Sequence, residues 1–87
     1  MGVLIIANKP AAGSPYDQWK LYSAGTEGGS YSIVTTQDLT DLTYYDTSGT
    51  STTWYKISYY DSNNDVESSM SDPIKGQSTD YTTVEDV

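Results

Sequence analysis

Histidine, arginine and cysteine are all absent from this chain of 87 residues. Without cysteine there is neither a disulfide framework nor a thiolate metal site. Without histidine the usual general base and the commonest metal ligand are missing, so the many serines have no imidazole to activate them. Acidic pairs such as Asp38 and Asp41 lie in polar segments where carboxylates ordinarily form turns. We therefore predict a protein that is not an enzyme and that holds no cofactor and no metal.

Positive charge is also scarce. Twelve acidic residues against four lysines give a formal net charge of −8. This charge repels nucleic acid and anionic membrane surfaces, so we expect neither as a partner. No apolar run approaches the roughly 20 residues that a membrane-spanning helix needs. The apolar run at 3–7 is also too short for the core of a signal peptide, and no cationic segment precedes it.

Tyrosine, in contrast, is abundant, with nine copies and no phenylalanine. Aromatic and β-branched residues favour strands, and glycine and proline fall between the runs. Thr53–Tyr60 is the clearest predicted strand, because its side chains alternate between two faces. The face predicted to enter the core carries Tyr55, Ile57 and Tyr59. The wetter, outward face carries Trp54, Lys56, Ser58 and Tyr60.

Other segments share this strand composition. Further strands are predicted at Val3–Ala7, Asp17–Ser23, Tyr31–Thr36 and Val66–Ile74, with an irregular segment over 37–45 that leads into a short strand. Val3–Ala7 is apolar at every position, which fits a strand that is buried on both faces or lies at a partner interface. These elements predict one domain over residues 1–76.

Residues 77–87 are predicted to form a polar C-terminal tail. Thr82 and Glu85 have the spacing of a helix capping box. A helix of the remaining length cannot be stable by itself. We therefore expect a disordered tail, with completion of the element by a neighbouring segment as the alternative.

Several segments resemble strands of a fibronectin type III domain. Tyr16–Ser23, the Gly28-Gly29 turn and Tyr31–Val34 are similar to the third and fourth strands of that family, and Leu42–Thr47 to the segment before the sixth. Trp54–Asp61 resembles the sixth strand, and Asn64–Ile74 the last turn and strand of the bacterial and phage versions. The resemblance covers residues 3–76. It implies an all-β, fibronectin type III or immunoglobulin-like β-sandwich of about six to seven strands.

The chain departs from that family in three ways. Val3–Asn8 corresponds to the second strand, which leaves no room for a first one. The tryptophan often found near the end of that strand would fall at Asn8, and we expect Trp19 to supply the missing bulk. The corner tyrosine of the family corresponds to Thr53. A missing first strand leaves an apolar edge, so we predict that another chain or this chain's own tail pairs with it. The alternative is an edge left to solvent.

Three aromatic side chains are predicted to point outward from neighbouring strands. Such side chains anchor protein contacts or stack on sugars, and the alternative is ordinary cross-strand pairing. The complete predicted partner interface consists of Val3, Leu4, Ile5, Ile6, Tyr22, Trp54 and Tyr60.

Asp61–Asp65 places oxygen-bearing side chains at alternate positions, as a calcium-binding loop does. Val66 stands where such a loop needs glycine, however, and a strand follows instead of a helix. We therefore predict a hairpin turn in which the Asp and Asn side chains bond to their own backbone.

These observations predict a non-catalytic structural or interaction module. By resemblance, we expect a virion protein of a tailed phage, in the capsid decoration, the neck or the tail. Its partners would be other virion proteins or copies of itself. The alternative is an extracellular accessory or carbohydrate-associated module of a secreted bacterial enzyme or of a surface protein.

Overall fold

The computed structural model describes residues 2–10, 12–76 and 81–84. Within these ranges the chain is all-β, which confirms the predicted class. The described residues include no helix long and apolar enough to cross a membrane. The strands are β1 Val3–Ala7, β2 Gln18–Ala24, β3 Ser32–Asp38, β4 Thr43–Asp46, β5 Trp54–Asp61, β6 Val66–Glu67, β7 Ile74–Lys75 and β8 Tyr81–Val84.

The strands form two sheets of a β-sandwich. The small sheet has the order β4-β1-β8, with β1 antiparallel to β4 and parallel to β8. The large sheet has the order β3-β2-β5-β6, and β7 pairs with β5 as well. All pairings in the large sheet are antiparallel. The long strands β2 and β5 are therefore central in the large sheet.

The core lies between the inner faces of the two sheets. Each contributing strand alternates, so every second side chain points inward. Its buried side chains are Val3, Ile5 and Ala7 from β1, Trp19 and Leu21 from β2, and Tyr55, Ile57 and Tyr59 from β5. The predicted inward face of β5 is thus confirmed, and Trp19 is among the largest fully buried side chains.

Two buried aromatic side chains also bond across the core. The Nε1–H group of Trp19 donates to the carbonyl of Asp41 at 2.7 Å. The hydroxyl of Tyr59 donates to the carbonyl of Asn8 at 2.5 Å. Because buried polar atoms without partners are costly, these bonds fix where the chain leaves β1 and where it enters β4.

The outward face of β5 departs from the prediction at one residue. Ser58 was expected on the wetter face, but its side chain is completely buried. The reason is the neighbouring strand β6, whose Glu67 carboxylate accepts a hydrogen bond from the Ser58 hydroxyl. A small side chain beside a long acidic one is thus covered by it.

The last predicted strand, Val66–Ile74, is wrong as a continuous element. The chain forms β6 and β7 with an irregular segment between them. In this segment two serine hydroxyls accept the hydrogen bonds that the carbonyls of a regular strand would accept from β5. Ser68 Oγ accepts from the Tyr59 N–H at 2.8 Å, and Ser71 Oγ accepts from the Ile57 N–H at 2.9 Å. Pro73, which has no N–H group, is the last residue of this segment.

The predicted tail contains a strand. β8 pairs in parallel with β1, from Leu4 opposite Tyr81 to Ala7 opposite Val84. The disorder expected for the tail is therefore wrong over Tyr81–Val84, which pairs with β1 as a strand. The capping-box spacing at Thr82 starts no helix, because pairing with a distant strand outweighs a local signal. The other predicted tail residues, 77–80 and 85–87, lie outside the described residues. We predicted that either another chain or this chain's own tail pairs with the edge of β1. The structure shows the chain's own C-terminal segment in that position.

The turn between β5 and β6 has the predicted hairpin chemistry. Asp61 Oδ1 accepts from the Asn63 N–H at 3.1 Å, and Asn64 Nδ2 donates to Asp61 Oδ2 at 2.7 Å. Asp65 closes the turn at φ 55°, the left-handed region that Asp and Asn tolerate better than most residues. The Asp and Asn side chains are thus used to shape the turn.

Candidate protein interface

The outer face of β1 and β4 in the small sheet is largely apolar. Leu4 and Ile6 point away from the core and are partly exposed. Across the ladder, Tyr45 of β4 lies opposite Leu4, and Thr43 lies opposite Ile6. Tyr45 is 54% exposed. We call these four residues the apolar face; none of them carries a charge.

The sequence of β1 explains this surface. A strand with one solvated face normally alternates apolar and polar residues. In β1 the inner positions Val3, Ile5 and Ala7 enter the core, and the outer positions are leucine and isoleucine. Its outer face therefore has the composition of a covered surface.

The predicted interface residues of this strand divide into two pairs. Val3 and Ile5 are completely buried, so their side chains belong to the core, which corrects their assignment to a partner surface. Leu4 and Ile6 lie on the outside, where a partner can reach them. A run that is apolar at every position cannot distinguish these two sides, because only alternation carries that information.

The other three predicted interface residues lie on the outer face of the large sheet. Tyr22 lies opposite Lys56, Tyr60 opposite Gln18, and Trp54 opposite Ala24. The three aromatic side chains share a face as predicted, and polar residues separate them along the strands. We call this surface the aromatic face.

The lysines of the aromatic face cover tyrosine rings. Lys20 Nζ lies 4.1 Å from the ring centroid of Tyr60, and Lys56 Nζ lies 4.6 Å from that of Tyr31. Both distances are typical of cation–π contacts. The hydroxyl of Tyr60 in turn donates to Asp65. These contacts occupy ring surface that a ligand would otherwise use.

Glu67 lies at the centre of a hydrogen-bonded group on the same face. Its carboxylate accepts from the Tyr22 hydroxyl at 2.5 Å and from Ser58, and Lys20 Nζ lies 3.9 Å away. Burial acts to raise the pKa of Glu67, but the bonds from Ser58 and Tyr22 and the charge of Lys20 together lower it. Burial and the Glu67 hydrogen bond raise the pKa of Tyr22 to about 12. The group ties β6 to β5 and β2.

This geometry predicts a pH-dependent contribution to stability. Because the pKa of Glu67 is lower in the folded state, its contribution is present above the unfolded value near 4.5 and is lost as the pH falls. Glu67→Gln is expected to lower Tm by about 3 °C at pH 7. The effect is modest because solvent partly screens the interaction between Glu67 and Lys20. Thermal melts followed by circular dichroism should show this difference shrinking at pH 3. Glu27→Gln, an exposed control, should melt like the wild type; a pH-independent difference would contradict the assignment.

A second carboxylate lies at the end of the small sheet. Asp46 is buried, and its Oδ2 accepts from the Tyr55 hydroxyl at 2.7 Å. Its Oδ1 accepts from the Ser48 N–H at 3.2 Å. Burial and then this acidic neighbour raise the pKa of Tyr55. The pair joins β4 to β5.

An open cleft of about 550 Å³ lies beside Asp46, between the two sheets. It is lined mainly by small and hydroxylated residues: Ser23, Ala24, Gly25, Ser30, Ser32, Val34, Asp46, Ser48 and Thr53. Within the described part of the chain, no group of three or more acidic side chains is close enough to hold a metal ion. The cleft thus offers hydroxyls and one carboxylate that already has partners.

Two features of these surfaces were not predicted. Tyr45 is a major part of the apolar face, and the sequence signal for it is the alternation of Thr43-Tyr44-Tyr45-Asp46, in which Tyr44 packs on the core. Glu67 organises the aromatic face, but nothing local marks it, because its partners come from two other strands.

Compared with protein-family models, curated proteins and solved structures, the chain matches none of them. The fibronectin type III resemblance therefore stays a prediction. The β-sandwich itself stands on the strand order and the position of the core. Function has to be argued from the two outer faces, the cleft and the sheet edges.

Proposed function

We propose that this chain is a non-catalytic interaction module that binds a protein partner through the apolar face. The observation that carries the proposal is the outward position of Leu4 and Ile6 on a strand whose inner face already forms the core. Removing apolar surface from water contributes about 25 cal/mol per Å², and this is the dominant favourable term in most protein association.

Tyr45 gives the apolar face an aromatic anchor. Its ring lies over Gly2, where an added β-carbon would overlap the ring and hydroxyl. Tyrosine is enriched among the residues that dominate binding energy, because it buries a large area and keeps a polar tip. Together, two aliphatic side chains and one such ring form a suitable centre for a contact.

The size of the face indicates how it is used. The apolar face is part of the small sheet, whose three strands of four or five residues together cover only roughly 15 Å by 15 Å, well below the ~800 Å² per partner of a standard stable interface. A single contact centred there is therefore weak. Weak contacts suffice where many copies bind one large assembly, because linked sites raise the overall affinity.

This reasoning supports a role in a tailed-phage virion, as capsid decoration, neck or tail protein. There the partners are other virion proteins or copies of this chain. The module's small size and acidity fit a subunit that must stay soluble before assembly. The resemblance to phage fibronectin type III strands favours the same setting.

A carbohydrate-associated module of a secreted bacterial protein is the rival proposal. It would use Trp54 and Tyr60 of the aromatic face as stacking platforms. Lys20 already lies over the ring of Tyr60, and the Tyr60 hydroxyl is bonded to Asp65. Because that ring is occupied, the apolar face is the better candidate.

The double variant Leu4→Thr/Ile6→Thr tests the proposal. Threonine keeps strand propensity but replaces apolar outward surface, so we expect binding to purified virion proteins to weaken about 30-fold, the loss of two moderate anchor residues. Surface plasmon resonance measures the affinity, and circular dichroism checks the fold. Val66→Thr, exposed at another site, is the matched control. Unchanged binding by the double variant contradicts the proposal, and a glycan-array signal lost in Trp54→Ala favours the rival.

A further inference from the structure

β3 is the outermost strand of the large sheet. β2 pairs with one side of it, and on the other side no strand lies within the described ranges 2–10, 12–76 and 81–84. Residues 32–37 contain no charged residue, proline or glycine. Ile33, within this segment, is 54% exposed. Proteins usually protect such an edge with a lysine, a proline or a covering element, because its free backbone groups pair readily with another strand.

Along the free edge of β3, the gap between the two sheets is bridged at the C-terminal end of the strand and open at its N-terminal end. Gln37 Nε2 donates to the carbonyls of Thr43 at 2.8 Å and of Asp41 at 3.2 Å, which links β3 to the start of β4. At the other end Ser32 and Val34 line the cleft of about 550 Å³. An added strand would therefore meet an open space beneath the N-terminal half of β3.

A register shift limits how much of β3 can accept a strand. The β2–β3 ladder is irregular between Leu21 and Tyr22. On the C-terminal side of that point the register is continuous, from Thr35 opposite Leu21 to Asp38 opposite Gln18. The regular acceptor segment is thus Thr35–Asp38, and the irregular half lies over the cleft.

Charge defines the chemistry of the occupant. The exposed carboxylate of Asp38 ends the acceptor segment, Asp41 follows in the next turn, and the chain carries a net charge of −8. β3 itself has no lysine. A second copy of this chain would bring the same negative charge to the contact, whereas a basic segment would be attracted to it.

We propose that β3 accepts an extended segment of a partner protein by strand addition. The segment is uncharged where it pairs with Thr35–Gln37 and basic where it passes Asp38. Main-chain hydrogen bonds provide the affinity, and the basic side chains that pass Asp38 provide the selectivity. This surface is separate from the apolar face, so the inference holds even if the apolar face binds nothing.

A synthetic peptide tests the inference directly. The probe is a fluorescent peptide of sequence Lys-Lys-Thr-Val-Thr-Val-Thr-Lys-Lys, together with two versions N-methylated at its odd or at its even positions. In a ladder only one of these two sets of N–H groups points towards β3. We expect fluorescence anisotropy to show binding of the unmodified peptide and of one methylated version, with at least about tenfold weaker binding of the other.

Variants of the full chain locate the contact. Asp38→Lys is expected to weaken peptide binding about fivefold, the effect of reversing one exposed charge, and Asp72→Lys, an exposed control, to change it much less. Amide NMR shifts should concentrate at 35–38. Four results would overturn the inference: no binding at millimolar peptide, equal effects of both methylation patterns, equal effects of both lysine variants, or a free chain that already dimerises through β3.

Discussion

Trp19→Ala is expected to leave the chain largely unfolded at 37 °C. The side chain is completely buried and is among the largest in the core. Truncating a buried tryptophan to alanine costs about 3–5 kcal/mol, because apolar contacts are lost and a cavity remains. The carbonyl of Asp41 also loses its donor at 2.7 Å. Small domains have a total stability near the lower end of about 5–15 kcal/mol, so this single change removes most of it.

Urea titration followed by circular dichroism measures the effect. Trp19→Phe keeps most of the ring bulk but removes the N–H group, so we expect roughly half of the loss. Trp54→Ala is the matched control, because this second tryptophan lies partly exposed on the aromatic face. A Trp19→Ala chain with the urea midpoint of the wild type would mean that the core does not depend on this ring.

The core could be predicted where the sequence alternates. β5 carries its pattern in eight consecutive residues, so the inward set Tyr55, Ile57 and Tyr59 follows from strand geometry alone. The same holds for Trp19 and Leu21 of β2. Alternation is local information, and nothing elsewhere in the chain is needed to interpret it.

The elements that could not be predicted depend on distant partners. β8 overlaps the capping-box signal that begins at Thr82, yet its backbone pairs with β1 at the far end of the sequence. Likewise, the hydroxyls of Ser68 and Ser71 accept hydrogen bonds from backbone N–H groups of β5, where a paired strand would offer carbonyls. This bonding depends on the position of β5 and not on the residues next to the serines in the sequence. Local propensity is only a weak guide when such long-range bonds compete with it.

The candidate interface was predicted in part for the same reason. The continuous apolar run of β1 indicated an unusual strand, but the division between core and surface required the register with β4. Leu4 and Ile6 lie at the surface because the alternate residues Val3, Ile5 and Ala7 enter the core. The register with β4 then places Tyr45 and Thr43 beside them. Glu67 ties β6 to β5 and β2 through Ser58 and residues of β2, so no local sequence motif indicates this role.

Ending the chain after Gly76 is expected to change its association state as well as its stability. The shortened chain lacks β8, so the register of β1 with β8 is lost from Leu4 to Ala7. At about 1 kcal/mol for each net hydrogen bond, the loss is about 2–4 kcal/mol. An apolar strand with free backbone groups pairs readily with other chains, so we also expect dimers or larger species.

Sedimentation velocity measures the mass, and urea titration measures the stability. A peptide of residues 77–87 added in excess should restore the monomer, because it supplies the missing strand in trans. Removing only residues 85–87 retains β8 and is the matched control. This variant is expected to have the association state and the urea midpoint of the wild type. A chain ending at Gly76 that stays monomeric with an unchanged midpoint would mean that β1 tolerates an open edge. The pairing with β8 would then be a weak addition to the sandwich, and the protection of β1 would have to come from its outward side chains.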